Sequence, residues 1–246
     1  MSGWPYPRLL AHRGGGALAP ENTLAAFDVG ARHGYRAAEV DAVLSADSVP
    51  VLLHDAGLER TTDGSGCVAD RTAAELMLLD AGSWFGQEFA GARIPTLQQA
   101  LRHCADLGVW LNVEIKPVAG HEARTGALVA ETVARYGAGA PPLLSSFSRV
   151  ALAAARRAAP QLPRALLCES IPTDWEKQLD ALDCVALHCS HRRLAAAQAG
   201  RVKAAGYGLL CYTVNDVRRA AELWGWGVDA ICTDCIDAIG PGDVPG

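Results

Sequence analysis

The sequence predicts an α/β protein built on a parallel sheet, and three observations support this fold class. Short apolar runs alternate with longer stretches of helical period, and repeated strand–helix units of this kind form parallel sheets. The chain has 246 residues, a length that fits one α/β barrel of ~250 residues or two smaller domains. No stretch rich in proline, glycine and serine divides it. We therefore expect a single domain that spans residues 1–246.

Nine segments have strand character, and the stretches between most of them have helical period. In chain order the predicted strands are Arg8–Ala11, Ala37–Leu44, Val49–Leu53, Val109–Ile115, Pro142–Ser145, Arg164–Leu167, Cys184–His188, Gly208–Val214 and Ala230–Thr233. The clearest helix runs from Asn22 to His33, with apolar residues recurring on one face. We expect Asn22 to cap its start and Gly34 to end it.

One connection is too short to join parallel strands. Only Ser45–Ser48 separates the second strand from the third, whereas a parallel crossover needs a dozen or more residues. We therefore expect an antiparallel hairpin that turns near Asp47. In that hairpin the numbers of facing residues sum to about 95, which places Asp41 opposite His54.

The stretch Ala56–Pro95 has little strand character and carries the aromatic side chains Trp84, Phe85 and Phe89. We interpret it as a small insertion after the strand that ends at His54, lying over one end of the barrel. Its aromatic rings offer apolar surface that a compact barrel does not need. Two roles stay open: the rings confine a ligand over the barrel mouth, or Trp84 anchors the insertion.

Charge and hydropathy exclude several classes of partner. The chain has 22 basic and 27 acidic side chains, a net charge of −5, so no basic excess exists to displace counterions from nucleic acid. The opening Met1–Arg8 lacks a basic start followed by an apolar stretch. No apolar run approaches the ~20 residues needed to cross a bilayer. We expect a cytoplasmic protein with no nucleic-acid partner and no stable membrane insertion.

The eight cysteines are scattered along the chain, a pattern typical of reduced thiols and not of a disulfide framework. Cys232 and Cys235 form a lone Cys-x-x-Cys pair. A zinc site needs a second pair or suitably spaced histidines, and Cys184 with Cys189 is a poor match. We interpret the cysteines as buried, reduced thiols.

Four polar clusters lie within or just after predicted strands, where buried polar groups are costly unless they have a function. They are His12-Arg13, Glu39 with Asp41, His54-Asp55 and Glu114 with Lys116. Residues two apart on a strand share a face, so the side chains of each spaced pair project together. Each cluster taken alone also has a structural interpretation, such as an exposed strand face or a simple ion pair. Their coincidence at four strand ends favours a functional site.

The charges of these clusters indicate which ligands and which metal ions the site could bind. The three carboxylates of the two spaced pairs, Glu39, Asp41 and Glu114, together with Arg13 and Lys116 have a net charge of −1, which would repel an anion. A divalent cation would change the sum to +1, which suits a singly charged phosphodiester. Carboxylate oxygens without thiolates favour Mg²⁺ or Ca²⁺ over zinc. Histidines, with an unperturbed pKa near ~6.5, can move protons at neutral pH.

The motifs that contain these clusters resemble, in the same order, those of the glycerophosphodiester phosphodiesterases. They are His12-Arg13-Gly14, Pro20-Glu21-Asn22-Thr23, Glu39-x-Asp41, His54-Asp55, Leu58-x-Arg60-Thr61-Thr62, Asp80-Ala81-Gly82-Ser83-Trp84, Ile94-Pro95-Thr96-Leu97, Glu114-Ile115-Lys116, Tyr212-Thr213-Val214-Asn215 and Gly227-Val228-Asp229. The resemblance covers nearly the whole chain. Within the family, the opening, residues 141–147 and the ending look most similar to bacterial cytosolic members linked to glycerol-3-phosphate uptake.

The resemblance implies a TIM (β/α)8 barrel of the phospholipase C-like phosphodiesterase type, with a small insertion after the His54 strand. It implies metal-dependent hydrolysis of glycerophosphodiesters, which are deacylated phospholipids, to glycerol 3-phosphate and an alcohol, with Mg²⁺ or Ca²⁺ as cofactor. The matching positions are His12 and His54 for the catalytic acid/base pair, Glu39, Asp41 and Glu114 for the metal ligands, and Arg13 and Lys116 for phosphate binding. The sequence departs from the residues common in the family at Ser48, Tyr212 and Ile236. None of these positions belongs to the proposed catalytic, metal-binding or phosphate-binding residues.

Several alternatives stay open at this point. A phospholipase D-like lipid hydrolase would use the same barrel, but no secretion signal is visible. A catalytically silent sensor of phosphorylated metabolites would lack a histidine or a metal ligand, and all are present. The preferred head group, the first nucleophile and the oligomeric state are undecided. Trp224 and Trp226 suit core packing or a homo-oligomer interface. The predicted hairpin favours His54 as the base and His12 as the acid, because it places His54 beside Asp41 and the cation.

Overall fold

A computed structural model describes residues 4–244 and confirms the α/β barrel. Its strands are β1 (Leu9–Ala11), β2 (Ala37–Leu44), β3 (Pro50–Leu52), β4 (Trp110–Ile115), β5 (Leu143–Ser146), β6 (Arg164–Cys168), β7 (Ala186–Ser190), β8 (Gly208–Tyr212) and β9 (Ala230–Thr233). All except β3 pair in parallel, in the order β1-β9-β8-β7-β6-β5-β4-β2. A further pairing of β1 with β2 closes the barrel, which is a TIM barrel.

The helices follow the strands as expected for this fold. They are α1 (Leu24–Arg32), α2 (Ala73–Leu76), α3 (Leu97–Leu107), α4 (Glu122–Tyr136), α5 (Arg149–Ala158), α6 (Trp175–Leu182), α7 (Ala196–Ala204) and α8 (Val217–Gly225). In the part of the chain that the structure describes, no helix is both long and apolar enough to cross a membrane.

The predicted strands agree with the observed ones to within two residues at each end. Ala37–Leu44 and Ala230–Thr233 match at both ends. The strand predicted from Cys184 begins instead at Ala186, because the Cys184 N–H donates to the carbonyl of Leu179 at the end of α6. A backbone group used to end a helix is not free to enter the sheet ladder.

The start of α1 differs from the prediction. Thr23, and not Asn22, is the N-cap: its side chain accepts a hydrogen bond from the N–H of Ala26 at 3.2 Å. Both residue types cap helices well, so the local sequence does not separate them. Asn22 adopts a left-handed backbone conformation with φ 59° and makes different contacts, described with the site below.

The β2–β3 hairpin forms as predicted, but its register differs by one residue. Ala42 faces Leu52 and Val43 faces Val51, so Asp41 lies opposite Leu53, whose N–H donates to the Asp41 carbonyl at 3.1 Å. The cause is the turn: Ser48 has φ 66°, and a three-residue loop ending in a left-handed residue shifts the pairing. His54 therefore lies one residue beyond the position predicted to face Asp41.

Aromatic rings fill the amino end of the barrel. Trp4 lies edge-on to Tyr6 at 5.0 Å, and Tyr6 stacks on Trp110 at 4.5 Å. A side chain at Gly208 would come within 2.7 Å of the Trp4 ring, which explains the glycine there. Because this end is filled, a ligand reaches the barrel interior from the carboxyl end of the strands.

Residues 56–95 form a mostly irregular segment with its own apolar cluster. The cluster joins Leu58, Val68, Leu76 and Ile94 to Val51 and other residues of the β2–β3 hairpin. Two isolated antiparallel bridges, Gly57 with Cys67 and Asp80 with Arg93, are the strand-like pairings within it. The segment is therefore packed onto the hairpin, next to the carboxyl end of β2.

Most of the thiols and both C-terminal tryptophans lie in or against the core. All eight cysteines are free, as expected from their scattered positions; five are buried as predicted, whereas Cys67, Cys168 and Cys235 are half-buried. Trp224 is buried in the largest apolar cluster and Trp226 packs against it, with the Arg219 guanidinium 4.5 Å above its ring. This arrangement favours the packing interpretation of both tryptophans.

Candidate active site

The structure brings the three predicted metal-binding carboxylates together at the carboxyl end of the barrel. Glu39 and Asp41 lie on β2, and Glu114 lies on the adjacent strand β4, with Asp41 and Glu114 paired in register. One carboxylate oxygen of each residue lies within 4.8 Å of the other two. The period of two along β2 and the parallel register with β4 produce this cluster.

These carboxylates are held close together despite their mutual repulsion. Asp41 is 1% exposed and Glu39 is 8% exposed. Burial and the neighbouring Asp41 raise the pKa of Glu114 to about 7, and the same causes raise the pKa of Glu39 above its usual range. A hard divalent cation bound by the three oxygens would offset both the cost of burying these charges and their mutual repulsion. The donor set therefore fits Mg²⁺ or Ca²⁺.

Three side chains contact Asp41 from outside the cluster. Nε of Arg13 lies 3.5 Å from Oδ2 and Nζ of Lys116 lies 3.6 Å from Oδ1. Lys116 also lies 3.5 Å from Oε1 of Glu114. Asn22 donates from Nδ2 to Asp41 Oδ2 at 2.8 Å and accepts from the Asp41 N–H at 3.1 Å. This pair of bonds explains why Asn22 is not the helix cap, and it makes Asn22 a site residue that the sequence analysis missed.

An ionic network fixes Arg13. Its Nη1 donates to Oε1 of Glu21 at 2.7 Å, and Arg60 donates to both carboxylate oxygens of Glu21, at 2.7 Å to Oε2 and 2.9 Å to Oε1. Nε of Arg60 then donates to Asp55 at 2.5 Å. Glu21 and Arg60 were missed as site residues, although both lie in motifs that carry the family resemblance. The network links the irregular segment 56–95 to the loop that follows β1.

Each predicted catalytic histidine has an aspartate on Nδ1. Nδ1 of His54 lies 2.5 Å from Oδ1 of Asp55, and Nδ1 of His12 lies 2.5 Å from Oδ1 of Asp234. The hydrogen bond from Arg60 holds the pKa of Asp55 below its usual range, so Asp55 is ionised and accepts the proton on His54 Nδ1. This pairing leaves Nε2 of each ring for a substrate.

Asp234 is itself fixed by a neighbour on the preceding loop. Nδ2 of Asn215 donates to Asp234 Oδ2 at 2.8 Å, and Oδ1 of Asn215 accepts from the Asp234 N–H at 2.9 Å. Nε2 of His12 lies 3.8 Å from Oε2 of Glu39, so the oriented ring borders the carboxylate cluster. Asp234 was not among the predicted site residues, although it directly follows the last strand, as polar residues of the predicted clusters follow theirs.

The barrel and these groups together define a class of protein. A TIM barrel positions functional groups at the carboxyl ends of its strands. Here that end combines a carboxylate cluster that could hold a cation, two basic side chains able to hold a phosphate, and two imidazoles able to exchange protons. The class is a TIM-barrel phosphodiesterase.

Comparison with known proteins gives the family. Residues 12–238 match the sequence model of the Glycerophosphoryl diester phosphodiesterase family. YhdW of Bacillus subtilis is 35% identical over 94% of this chain and 96% of its own length. The glycerophosphodiester phosphodiesterase of Caldanaerobacter subterraneus is 32% identical over 92% of this chain and 93% of its own. The chain therefore belongs to this family and is a phosphoric diester hydrolase that acts on glycerophosphodiesters.

A solved structure supports the same assignment. A phosphodiesterase of Oleispira antarctica, determined in complex with its product sn-glycerol-3-phosphate, has 40% sequence identity and a TM-score of 0.91. The alignment covers 95% of this chain and 95% of that one. The motif resemblance found in the sequence is thereby confirmed.

Proposed function

We propose that this enzyme uses a divalent cation, Mg²⁺ or Ca²⁺, to hydrolyse deacylated phospholipids to glycerol 3-phosphate and an alcohol. The observation that carries the proposal is the cluster of Glu39, Asp41 and Glu114, of which the first two are buried and the third is half-buried; two histidine–aspartate pairs accompany it. The product bound to the Oleispira relative supports glycerol 3-phosphate as the product here.

The three carboxylates would hold the cation, which supplies Lewis-acid stabilisation of charge on the phosphate oxygens. Arg13 and Lys116 lie within 3.6 Å of the same cluster and would bind the phosphate beside it. Their guanidinium and ammonium groups are suited to phosphate recognition. Together with a divalent cation, their positive charges would bring the net charge of the site to +1, which suits an anionic substrate.

His54 and His12 would divide the proton transfers. Burial lowers the pKa of His54, so its Nε2 is free of a proton near neutral pH and suits a general base. His12, oriented by Asp234, would donate a proton to the oxygen of the leaving alcohol. A positioned acid or base contributes roughly 10²–10⁴ in rate.

The proposal is tested by following glycerol 3-phosphate release from glycerophosphocholine with and without a chelator. We expect release that stops on chelation and returns with Mg²⁺ or Ca²⁺. Release of choline from intact phosphatidylcholine, with phosphatidate as the other product and no turnover of glycerophosphocholine, would point instead to a phospholipase D-like hydrolase. Binding of glycerol 3-phosphate without turnover of any diester would point to a sensor.

We propose that Asp234 positions His12 for catalysis. Asp234→Asn keeps the shape but offers an amide in place of the ionised acceptor, so the His12 ring loses its fixed orientation. We expect kcat to fall by about 10²-fold or more, while KM and the melting temperature stay near the wild-type values. Steady-state kinetics and thermal unfolding measure these effects.

Asp28→Asn is the matched control, because Asp28 binds His103 at 2.8 Å outside the site. That variant should keep wild-type kinetics. An Asp234→Asn enzyme with unchanged kcat would show that the 2.5 Å contact with His12 has no role in catalysis.

We propose that the single domain includes residues 56–95 as an insertion that confines substrate over the barrel mouth. Phe85 contacts Trp84 and Phe89 edge-on at 5.6 and 5.4 Å. Phe89 also packs against the main core cluster, as does Leu18 of the loop after β1. Trp84 is 42% exposed, and its Nε1 donates to the Ala81 carbonyl at 2.9 Å within the same segment, so this bond does not itself tie the segment to the barrel; an anchoring role for Trp84 is the alternative.

Conservative changes separate these two roles. Phe85→Leu or Phe89→Leu should raise KM for glycerophosphodiesters about threefold to tenfold, the value of one aromatic contact. Leu78, which is 75% exposed on the same segment, provides the control Leu78→Ser with unchanged KM. Wild-type kinetics in both phenylalanine variants would favour the anchoring role.

We also propose that the reaction takes place in the cytoplasm on small, diffusible substrates. The eight free thiols agree with a reducing compartment. The net charge of −5 disfavours nucleic acid as a partner. Cell fractionation with antibody detection tests the location.

A further inference from the structure

The barrel interior contains a polar layer below the carboxylate cluster. Asn112 lies two residues before Glu114 on β4 and pairs with Glu39 of β2, and His188 lies on β7. Asn112 is 2% exposed and His188 is 0% exposed. Both line a cavity of about 50 Å³ that is also lined by Ser145, Glu39 and Glu114. This cavity therefore joins the polar layer to two of the proposed cation ligands.

Three polar atoms in this layer lack a protein partner. Within residues 4–244, neither ring nitrogen of His188 nor Oδ1 of Asn112 has a hydrogen bond. The amide nitrogen of Asn112 is satisfied, since it donates to Ser145 Oγ at 3.2 Å. Burial lowers the pKa of His188 to about 3, so the neutral ring presents one donor and one acceptor. Buried groups of this kind are stable when water satisfies them.

The cavity has the size and lining that ordered water requires. A water molecule needs roughly 10–15 Å³ of cavity volume and two to four polar partners. A cavity of about 50 Å³ therefore accommodates about three water molecules. The imidazole N–H, the imidazole nitrogen lone pair and the Asn112 carbonyl supply partners on one side. The Glu39 and Glu114 carboxylates supply acceptors on the other.

Glu39 and Glu114 have weaker direct support than Asp41. The contacts that reach Glu39 from the described residues are long, 3.4 Å from the N–H of Arg13 and 3.8 Å from Nε2 of His12, and Glu114 is contacted by Nζ of Lys116 at 3.5 Å. Asp41, in contrast, has two bonds to Asn22 of 2.8 and 3.1 Å. Carboxylates that ligate metals are usually fixed by outer hydrogen bonds. A donor from the barrel interior would give Glu39 and Glu114 the short hydrogen bond that their direct contacts do not provide.

We infer that His188 and Asn112 hold ordered water inside the barrel, and that this water donates hydrogen bonds to Glu39 and Glu114. The two residues are positioning residues, which act on the cation site through the water. This inference rests on the proposed function of Glu39 and Glu114 as cation ligands. It assigns a role to the two ring nitrogens of His188 and to Oδ1 of Asn112, which lack a protein partner. The proposed proton transfers and phosphate contacts do not use these atoms.

The test replaces His188 with an apolar residue of similar volume. His188→Leu should weaken Mg²⁺ or Ca²⁺ binding about 10–100-fold, measured by calorimetry with the metal ion alone. His188→Gln keeps a donor and an acceptor and should bind within about threefold of wild type. Leu167→Met is the control, since Leu167 pairs with His188 in register and lines the same cavity. It should bind the ion like the wild type.

A high-resolution crystal structure of the unaltered protein gives a second, independent measurement. It should show water within hydrogen-bond distance of both His188 and Glu39. A dry cavity would overturn the inference, and so would a His188→Leu protein with unchanged ion affinity and a higher melting temperature. If the wild type binds no divalent ion, the proposed function fails, whereas the crystallographic water still decides whether His188 supports Glu39.

Discussion

His12→Ala should remove most activity on glycerophosphocholine while retaining much of the activity on an aryl phosphodiester. Choline is a poor leaving group, so its departure depends on the proton that His12 would donate. A phenolate leaves readily and hardly needs the acid. We expect a loss of about 10²–10⁴-fold on the natural substrate, measured as kcat/KM for both substrates.

His54→Ala should instead lose activity on both substrates. As the base, His54 would take a proton from the attacking oxygen, a step that both substrates share. Its lowered pKa, caused first by burial, agrees with this role. The sequence alone favoured this assignment only through the predicted hairpin, and the hairpin register differs by one residue from that prediction.

The control for both variants is His103→Ala. His103 also pairs with an aspartate, Asp28 at 2.8 Å, but lies on α3 outside the site. Its replacement should leave both activities unchanged. Equal losses on the two substrates in both site variants would contradict the division between acid and base. Selective loss in His54→Ala would reverse the assignment.

Glu114→Gln should abolish activity without destabilising the metal-free protein. The change keeps the side-chain shape and removes one charge from a cluster in which burial and Asp41 already raise the pKa of Glu114 to about 7. Cation affinity should therefore fall by at least about 10²-fold. In chelator, the melting temperature should equal or exceed that of the wild type, because a repulsive charge has been removed.

Calorimetry with Mg²⁺ or Ca²⁺ and thermal unfolding in chelator measure these two effects. Glu131→Gln, on the exposed face of α4, is the matched control and should change neither. Full activity of the wild type after exhaustive chelation, with metal removal verified by elemental analysis, would contradict metal dependence. A large fall in the melting temperature of Glu114→Gln would show that Glu114 has a structural role instead.

The sequence by itself determined the strands and predicted most of the candidate site, because both depend on local spacing. Apolar runs interrupted by polar residues predicted the barrel strands to within two residues. The spacing of two between Glu39 and Asp41 puts both on one face of β2 wherever that strand lies. The short connection at Ser45–Ser48 likewise allowed only an antiparallel hairpin. The positions of the carboxylates and histidines at strand ends follow from these local patterns.

The tertiary structure decided which residues hydrogen-bond to the site residues, since these partners come from distant parts of the chain. Asp234 reaches His12 across 222 positions of sequence only because β9 closes the barrel against β1. Asn22 and Thr23 have similar capping propensity, and the two hydrogen bonds to Asp41 settle which of them caps α1. In the sequence, nothing distinguishes His188 from another strand histidine. In the closed barrel it is buried in the cavity that Glu39 also lines. Sequence periodicity determines which residues share one face of a strand or helix. Closure of the barrel determines which residues from other elements that face contacts.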